Sequence, residues 1–162
     1  MAGLIGQGFK VVFVDEMMTT VNTIPKLEWS AKGETIGLNR REYHKMSIAT
    51  IEGVSSERGV ELTHNHQGSI NINKFYDFLV ALREINKRRK LAVFLDRLSV
   101  HKLKKIGKLA ARLGIELIFN AAYSPNYNPI EGVFSLTKRE IKGARLRAIL
   151  NGQEIDDEAI IK

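Results

Sequence analysis

The sequence predicts a single mixed α/β domain, with one sheet covered by helices on both faces. Its 162 residues suit one domain, because two domains of half that length would each lack a good core. The first strand candidates follow one another through short turns, which favours antiparallel pairing. The later candidates are separated by helical segments, which favours parallel strands joined by right-handed crossovers.

The first half of the chain contains most of the strand candidates. Phe9–Val14 is a short apolar run that predicts a buried strand ending on Asp15. A turn bounded by two glycines is predicted between the strand candidates His44–Ile51 and Val60–Thr63. The other strand candidates and turns are Leu27–Ser30 with the turn Lys32-Gly33, then His44–Ile51, the turn Gly53–Gly59, and Val60–Thr63.

The second half alternates helices and strands. Asn71–Asn86 places apolar residues on one helical face, and Leu91–Leu95 is apolar throughout, as expected of a strand buried on both faces. That strand ends on Asp96. The remaining predictions are a basic loop at Lys87–Lys90, a helix over Val100–Leu113 stopped by Gly114, a strand at Ile115–Phe119, a loop at Asn120–Tyr127, and a final helix that opens at Asn128-Pro129-Ile130-Glu131 and runs toward Leu150.

The charge of the chain indicates a polyanionic partner. The formal net charge is +7, and eleven Lys and Arg stand against two acids between Arg83 and Arg112. A positive field of this kind attracts phosphates. Two basic runs near candidate catalytic residues favour nucleic acid over a solvated helix face, which each run alone would indicate. The second run consists of Lys138, Arg139, Lys142, Arg145 and Arg147.

Residue types that are absent narrow the function classes. The chain contains no cysteine, which excludes disulfides, thiolate zinc sites and cysteine nucleophiles. No apolar run approaches the roughly 18 residues of a membrane-spanning helix. These absences are compatible with an intracellular protein that has no membrane partner.

Three acidic residues are candidates for a metal site. Asp15 and Asp96 each end a predicted strand, and the carboxyl ends of parallel strands meet at one edge of a sheet. Glu131, in the first turn of the last helix, would close over that edge. Hard oxygen ligands suit Mg²⁺ or Mn²⁺, and two such ions support phosphodiester cleavage. Glu16 points to the opposite face of the strand by alternation and is not expected to take part.

Each of these acids also has a structural interpretation. An aspartate after a strand is often a turn residue, which applies to Asp15 and Asp96. Asn128, Pro129 and Glu131 match the N-cap, N1 and N3 positions of a capped helix. Taken one at a time, the three acids do not establish a catalytic site.

Two longer motifs resemble a known family. The stretch Leu95–Lys102, LDRLSVHK, resembles the motif around the second aspartate of the mariner-like and bacterial insertion-sequence transposases. The stretch Tyr123–Glu131, YSPNYNPIE, resembles their third-carboxylate motif, and thirty-four residues lie between Asp96 and Glu131, similar to one of the family's spacings. Phe13-Val14-Asp15-Glu16 resembles the first-aspartate strand, and Trp29 with Lys32-Gly33 resembles the element after it.

The resemblance implies a ribonuclease H-like fold with Asp15, Asp96 and Glu131 as catalytic and metal-binding residues. Two Mg²⁺ or Mn²⁺ ions would assist cutting at transposon ends and transfer of the 3′-hydroxyl to a TA dinucleotide of target DNA. Helix-turn-helix domains of the family are expected to be absent upstream, and a homodimer is expected of the full-length protein. The residues expected to contact DNA are Arg97, His101, Lys102, Lys138, Arg139 and Lys142.

Some alternatives remain open at this point. A structure-selective nuclease on the same fold and a non-catalytic DNA-binding or assembly module would both carry these motifs. Arg97 stands where the family commonly has Asn, so a cation beside the metals would either contact the scissile phosphate or weaken metal binding. His101 is equally well explained as a polar residue of a first helical turn. His64-Asn65-His66 is expected to lie in an exposed loop.

Overall fold

The computed structural model describes residues 2–20, 32–33, 47–96, 104–121 and 128–153. Within these ranges, five strands form one sheet in the order β3-β2-β1-β4-β5. The strand candidate Leu27–Ser30 lies outside the described residues. The elements are α1 (Ala2–Gly6), β1 (Phe9–Thr19), β2 (Ile48–Ser55), β3 (Gly59–Gln67), α2 (Ile72–Ile85), β4 (Lys90–Leu95), α3 (Lys104–Leu113), β5 (Ile115–Phe119) and α4 (Ile130–Leu150).

The strand directions change at β1, which lies in the middle of the sheet. β1 pairs antiparallel with β2, and β2 pairs antiparallel with β3. On its other side β1 pairs parallel with β4, and β4 pairs parallel with β5. A short turn joins the antiparallel strands β2 and β3, whereas α3 lies between the parallel strands β4 and β5, as crossover geometry requires. The mixed sheet predicted from the sequence is confirmed.

One face of the sheet is covered by α2 and α3. Val12 and Val14 of β1 point to this face and are fully buried. Alternate residues of β4 join them, because side chains alternate along a strand. The other members of this core come mainly from the two helices, and they include Phe75, Phe78, Leu79, Leu82, Ile106, Leu109 and Ala110.

The opposite face carries α4. Met17 and Val54 of the sheet pack against Ile130 and Phe134 of this helix. A smaller cluster on the same face contains Val11, Ala92 and Phe94. Helices therefore cover both faces of the sheet, as the sequence predicted. None of the described helices is long and apolar enough to cross a membrane.

Three sequence predictions about the strands are wrong. β1 does not end on Asp15 but continues to Thr19, because β2 provides a pairing partner as far as Ile48. The residue Gly53 lies inside β2, so the turn predicted at Gly53–Gly59 begins later, after Ser55. His64-Asn65-His66 lies within β3 and not in a loop; this strand is at the edge of the sheet, where polar residues alternate without an apolar run.

The predicted helices of the second half are present, as far as the structure describes them. The predicted helix Asn71–Asn86 is α2 with its two caps, and the side chain of Asn71 accepts hydrogen bonds from two backbone N–H groups of the first turn. β5 has the predicted bounds. α3 is described from Lys104, and Gly114 follows it with a positive φ of 65°. Glycine suits that backbone conformation, which L side chains rarely adopt.

Candidate active site

Asp15 lies within β1, and Asp96 directly follows the neighbouring parallel strand β4. The ladder between β1 and β4 pairs Phe13 with Phe94. Two residues further along each strand the chain reaches Asp15 and Asp96. The adjacency of these strands, which the sequence analysis inferred, is thus confirmed. At the roughly 4.8 Å spacing of neighbouring strands, the two acids lie beside each other at the point where β4 ends and β1 continues.

The Asp15 carboxyl is buried among other acids. It is only 9% exposed. Burial raises the pKa of Asp15 from 3.8 to about 6, a rise that the backbone N–H of Glu16 opposes and the charges of Asp96, Glu16 and Glu131 reinforce. Burial has this effect because it removes water from the charged form. The three predicted acids are therefore close enough to interact electrostatically.

Asn128 is a neighbour of Asp15 whose role the sequence analysis missed. It is 4% exposed, and its Nδ2 donates a hydrogen bond of 3.0 Å to Asp15 Oδ2. The other oxygen of Asp15, Oδ1, accepts a 2.8 Å hydrogen bond from the backbone N–H of Glu16. Asn128 thus holds the carboxyl in place while its own Oδ1 accepts a 3.4 Å bond from the N–H of Ile130 at the start of α4.

Glu131 lies in the first turn of α4, as predicted. The helix begins at Ile130, and the N–H of Glu131 bonds to the carbonyl of Asn128 at 3.2 Å. Asn128 therefore links two functions, because it both caps the helix that carries Glu131 and binds Asp15. The Glu131 side chain is exposed, and its charge contributes to the raised pKa of Asp15.

A fourth carboxyl, that of Glu52, lies next to Asp15 across the antiparallel ladder. The register pairs the two residues directly, so both side chains are on the face that α4 covers. Glu52 is 5% exposed, and burial raises its pKa. The sequence analysis missed this residue because it placed a turn immediately after it. Only the pairing of β1 with β2 brings Glu52 beside Asp15.

The chemistry of these side chains fits a hard divalent cation, although the cluster is not gathered around one point. Carboxylate oxygens are the ligands that Mg²⁺ and Mn²⁺ prefer, and a cation would relieve the repulsion that raises the pKa of Asp15. Within the part of the chain that the structure describes, no group of three or more His, Cys, Asp or Glu side chains is arranged to hold a metal ion.

The predicted DNA-contacting residues of α4 differ in exposure. The Arg139 side chain is 73% exposed and lies 3.8 Å from a carboxylate oxygen of Glu140, whereas Lys138 and Lys142 are half-buried. Arg145, which the sequence analysis grouped with them, is buried, and its Nη1 donates a 2.7 Å hydrogen bond to the carbonyl of Thr20. It belongs to the sheet-facing side of the helix and does not present a free cation to DNA.

Several predicted residues are not placed by the structure. Arg97, His101 and Lys102 lie outside the described residues, as do Trp29 and the first part of the YSPNYNPIE motif. His64 and His66 are described, and their rings lie 6.1 Å apart on β3. The His64 ring contacts Phe78 of α2 edge to face at 5.3 Å, so His64 packs against the core.

Comparison with protein families identifies the chain. A family model described as DDE superfamily endonuclease matches residues 10–150. The chain belongs to this family of DDE superfamily endonucleases. The match includes all three acids that the motifs singled out, so the family resemblance inferred from the sequence is confirmed. A comparison with curated proteins finds no match.

Solved structures similar to this DDE superfamily endonuclease contain the same fold. The Mos1 transposase paired-end complex with the left transposon end is similar with a TM-score of 0.64 and 16% identity, over 94% of this chain and 50% of that one. The Mos1 transposase catalytic domain with Raltegravir and Mg has a TM-score of 0.57 and 15% identity, over 93% and 66%. A simian T-cell lymphotropic virus intasome has a TM-score of 0.64 and 11% identity, over 94% and 46%.

These similarities confirm the ribonuclease H-like fold of the DDE superfamily endonuclease. The five-stranded mixed sheet with helices matches the catalytic domains of transposases and integrases. At identities of 11–16% the likeness concerns the fold alone. The chain spans about half the length of the transposase chain in the paired-end complex, 50% of it.

Proposed function

We propose that this chain is the catalytic domain of a metal-dependent DNA transposase. It would cut phosphodiester bonds at transposon ends and join the freed 3′-hydroxyl to target DNA. The observation that carries the proposal is the placement of Asp15 beside Asp96 on the neighbouring parallel strands β1 and β4, and the pKa of Asp15 is raised to about 6, mainly by burial and further by the charges of Asp96, Glu16 and Glu131. Buried acidic side chains that lie close together and repel one another are typical of a functional site that binds a cation.

Asp15, Asp96 and Glu131 would be the catalytic residues and the metal ligands. Two Mg²⁺ or Mn²⁺ ions bound there would activate water and stabilise the leaving oxygen. Asn128 is proposed as a positioning residue, because it fixes the Asp15 carboxyl through Oδ2. Orientation of ligands by their hydrogen-bonded neighbours is general in metal sites.

The reaction proceeds in two displacements at phosphorus. In the first, water forms a bond to phosphorus and the P–O3′ bond breaks, which leaves a 3′-hydroxyl and a 5′-phosphate. In the second, the 3′-oxygen loses its proton, attacks a phosphorus of target DNA and displaces a 3′-oxygen, which takes up a proton. Neither step needs a covalent bond between protein and DNA.

The DNA would be held by cations near the carboxylates. On α4, Arg139 is the most accessible of the proposed contacts, with Lys138 and Lys142 beside it. The remaining proposed contacts are Arg97, His101 and Lys102. Contacts from Lys and Arg to phosphates position DNA without reading its sequence. A DNA-associated, intracellular protein follows from this proposal, as does a dimer if two transposon ends are processed together.

The test compares metal binding with cleavage. Mn²⁺ is titrated into the protein by calorimetry, and nicking of a supercoiled plasmid is followed in Mn²⁺. Asp96→Asn and Glu131→Gln are expected to lose both heat of binding and nicking. Glu116→Gln is the matched control, since Glu116 is an exposed glutamate of β5 outside the proposed site and should change neither. Wild-type protein that binds no Mn²⁺ and nicks no DNA would overturn the proposal.

A non-catalytic DNA-binding module is the second candidate. It is favoured by the lack, among the described residues, of a group already arranged to hold a metal. Full DNA binding in EDTA, with no cleavage in any divalent metal, would support it. A structure-selective nuclease is distinguished by one further assay. When a labelled oligonucleotide with a free 3′-hydroxyl is mixed with plasmid, a transposase domain joins the two, whereas a nuclease only nicks.

A further inference from the structure

The exposed side of α3 forms a cationic strip. Its charged residues are Lys104, Lys105, Lys108 and Arg112, and all four are exposed. The helix contains no acidic residue. Its opposite side is apolar, because Ile106, Leu109 and Ala110 are buried against the sheet. We call these four cations the α3 strip.

Within the part of the chain that the structure describes, no acid neutralises the cations of the α3 strip. None of them forms an ion pair with a residue that the structure describes. Two are held by an aromatic ring instead, since Lys105 Nζ and Arg112 Cζ lie 5.9 and 6.0 Å from the centroid of Tyr76. Arg112 Nη2 also donates to the Tyr76 hydroxyl. Lys104 and Lys108 project from the helix without such contacts.

The α3 strip lies on the other side of the sheet from Asp15. α3 packs on the face of Val12 and Val14, whereas the Asp15 carboxyl is bonded to Asn128 on the face that α4 covers. A duplex seated over the α4 face therefore has the sheet between itself and Lys108 or Arg112. The two basic surfaces are not parts of one continuous groove.

The α3 strip begins at the catalytic edge and runs away from it. α3 connects the parallel strands β4 and β5, so its first residue is at the edge where Asp96 lies and its last is at the opposite edge. From Lys104 to Arg112 the rise is about 12 Å at roughly 1.5 Å per residue. That length is close to the width of the DNA major groove, about 12 Å.

We propose that the α3 strip binds the phosphate backbone of a second DNA duplex, which approaches the carboxylate edge from the opposite side of the sheet to a duplex held by α4. This proposal rests on the proposed function, which requires two DNA segments, a transposon end and a target. The separate placement of the strip is what assigns it to the second segment. Its contacts are with phosphates and carry no sequence preference.

The experiment measures binding of a short fluorescent duplex of mixed sequence in EDTA, so that cleavage plays no part. Lys104→Gln/Lys108→Gln removes the two cations of the strip that form neither an ion pair nor a ring contact with the described residues. The slope of log affinity against log salt is expected to fall by about 1 for each lysine. Lys87→Gln/Arg88→Gln is the matched control, because it removes the same charge from exposed residues beyond the end of α2. The control should leave the slope near the wild-type value.

The number of duplexes bound per protein shows whether DNA binds at one surface of the protein or at two. Analytical ultracentrifugation should find two duplexes per protein at saturation, and one for either Lys104→Gln/Lys108→Gln or Arg139→Gln/Lys142→Gln. An unchanged salt slope in the α3 variant would overturn the proposal, as would an equal loss in the Lys87/Arg88 control. A saturation value of one duplex for the wild type would also overturn it. Plasmid nicking in Mn²⁺ tests the proposed function independently of these results.

Discussion

Asn128 and Asp15, which are 113 positions apart in the chain, are joined by a buried hydrogen bond of 3.0 Å. The bond ties the start of α4 to the central strand of the sheet. Because Asn128 also accepts the N–H of Ile130, one side chain fixes both a catalytic candidate and the helix that carries Glu131. Its two roles can be separated by substitution.

Asn128→Asp is expected to raise the pKa of Asp15 above about 6. The variant keeps an oxygen to cap α4 but loses the N–H donor and adds a negative charge, and both changes disfavour the ionised Asp15. Asn128→Ala should raise this pKa less and should also destabilise the helix start by about 1 kcal/mol. Carbon-detected NMR titration of Asp15 gives the pKa, and urea unfolding gives the stability. An unchanged pKa in Asn128→Asp would show that the bond has no electrostatic role.

Asp15→Asn is expected to stabilise the protein at neutral pH. The pKa of Asp15 rises from 3.8 to about 6 on folding, mainly through burial. The folded state therefore holds this proton more tightly, so stability falls as the pH rises from the ordinary value through the folded one. Asp15→Asn removes this loss, which amounts to roughly 3 kcal/mol. The difference should be full near about pH 8 and small near about pH 4, as measured by urea unfolding.

Two controls test whether ionisation of Asp15 causes this stability difference. Asp77→Asn changes an exposed aspartate of α2 and should not reproduce the effect. Mn²⁺ should stabilise the wild type and have less effect on Asp15→Asn, if the proposed site is correct. A stability difference that is the same at both pH values would mean that titration of Asp15 is not its cause.

The sequence predicts those parts of the candidate site that depend on local patterns. Leu91–Leu95 is apolar throughout, so both the buried strand and the position of Asp96 after it follow from the sequence. Glu131 follows from the capped start of the last helix. The continuation of β1 to Thr19 does not, because it depends on pairing with Ile48 and its neighbours, which are distant in the chain.

The residues that the sequence misassigned owe their roles to packing. Arg145 lies on the same side of α4 as Phe134 and Ile141 and is therefore buried, although its residue type predicts exposure. Glu52 becomes a neighbour of Asp15 only through the strand register. Asn128 has a typical capping position, and nothing local indicates that its amide reaches Asp15.

Gly53→Ala is expected to destabilise the protein by about 1–3 kcal/mol. A Cβ at this position would lie 3.1 Å from Val12 Cγ1 and 3.4 Å from Phe78 Cζ, closer than packed side chains normally approach. Gly107→Ala is the control, because a Cβ there meets nothing within 4 Å and should add about 0.5–1 kcal/mol as a better helix former. Chemical denaturation measures both. Val12→Ala should relieve part of the cost of Gly53→Ala; a purely additive double variant would argue against this contact.

Lys10→Met is expected to be the most destabilising of these changes, at about 3–5 kcal/mol. Lys10 is buried in β1, with its Nζ 2.6 Å from Glu61 Oε1 and 2.9 Å from Asn86 Oδ1. Burial opposes ionisation of Glu61, but the hydrogen bonds from Lys10 and Ser55 and the charges of Lys10 and Arg58 outweigh it, so the pKa of Glu61 is lowered. Removing Lys10 leaves the buried Glu61 carboxylate without its nearest cation, and Arg58, which is 4.0 Å away and largely exposed, compensates it only in part.

The double variant Lys10→Met/Glu61→Leu should recover most of that loss, because replacing both partners of a buried pair by apolar groups is often neutral or stabilising. Since the pKa of Glu61 is lowered on folding, the wild-type pair stabilises the protein above the ordinary value of 4.5 and loses this contribution as the pH falls through the folded value. The double variant should lack that acid dependence.

Arg89→Ala, which removes the exposed pair with Glu57, should cost at most about 1 kcal/mol. If Lys10→Met costs no more than this surface variant, the buried pair does not hold β1 to β3.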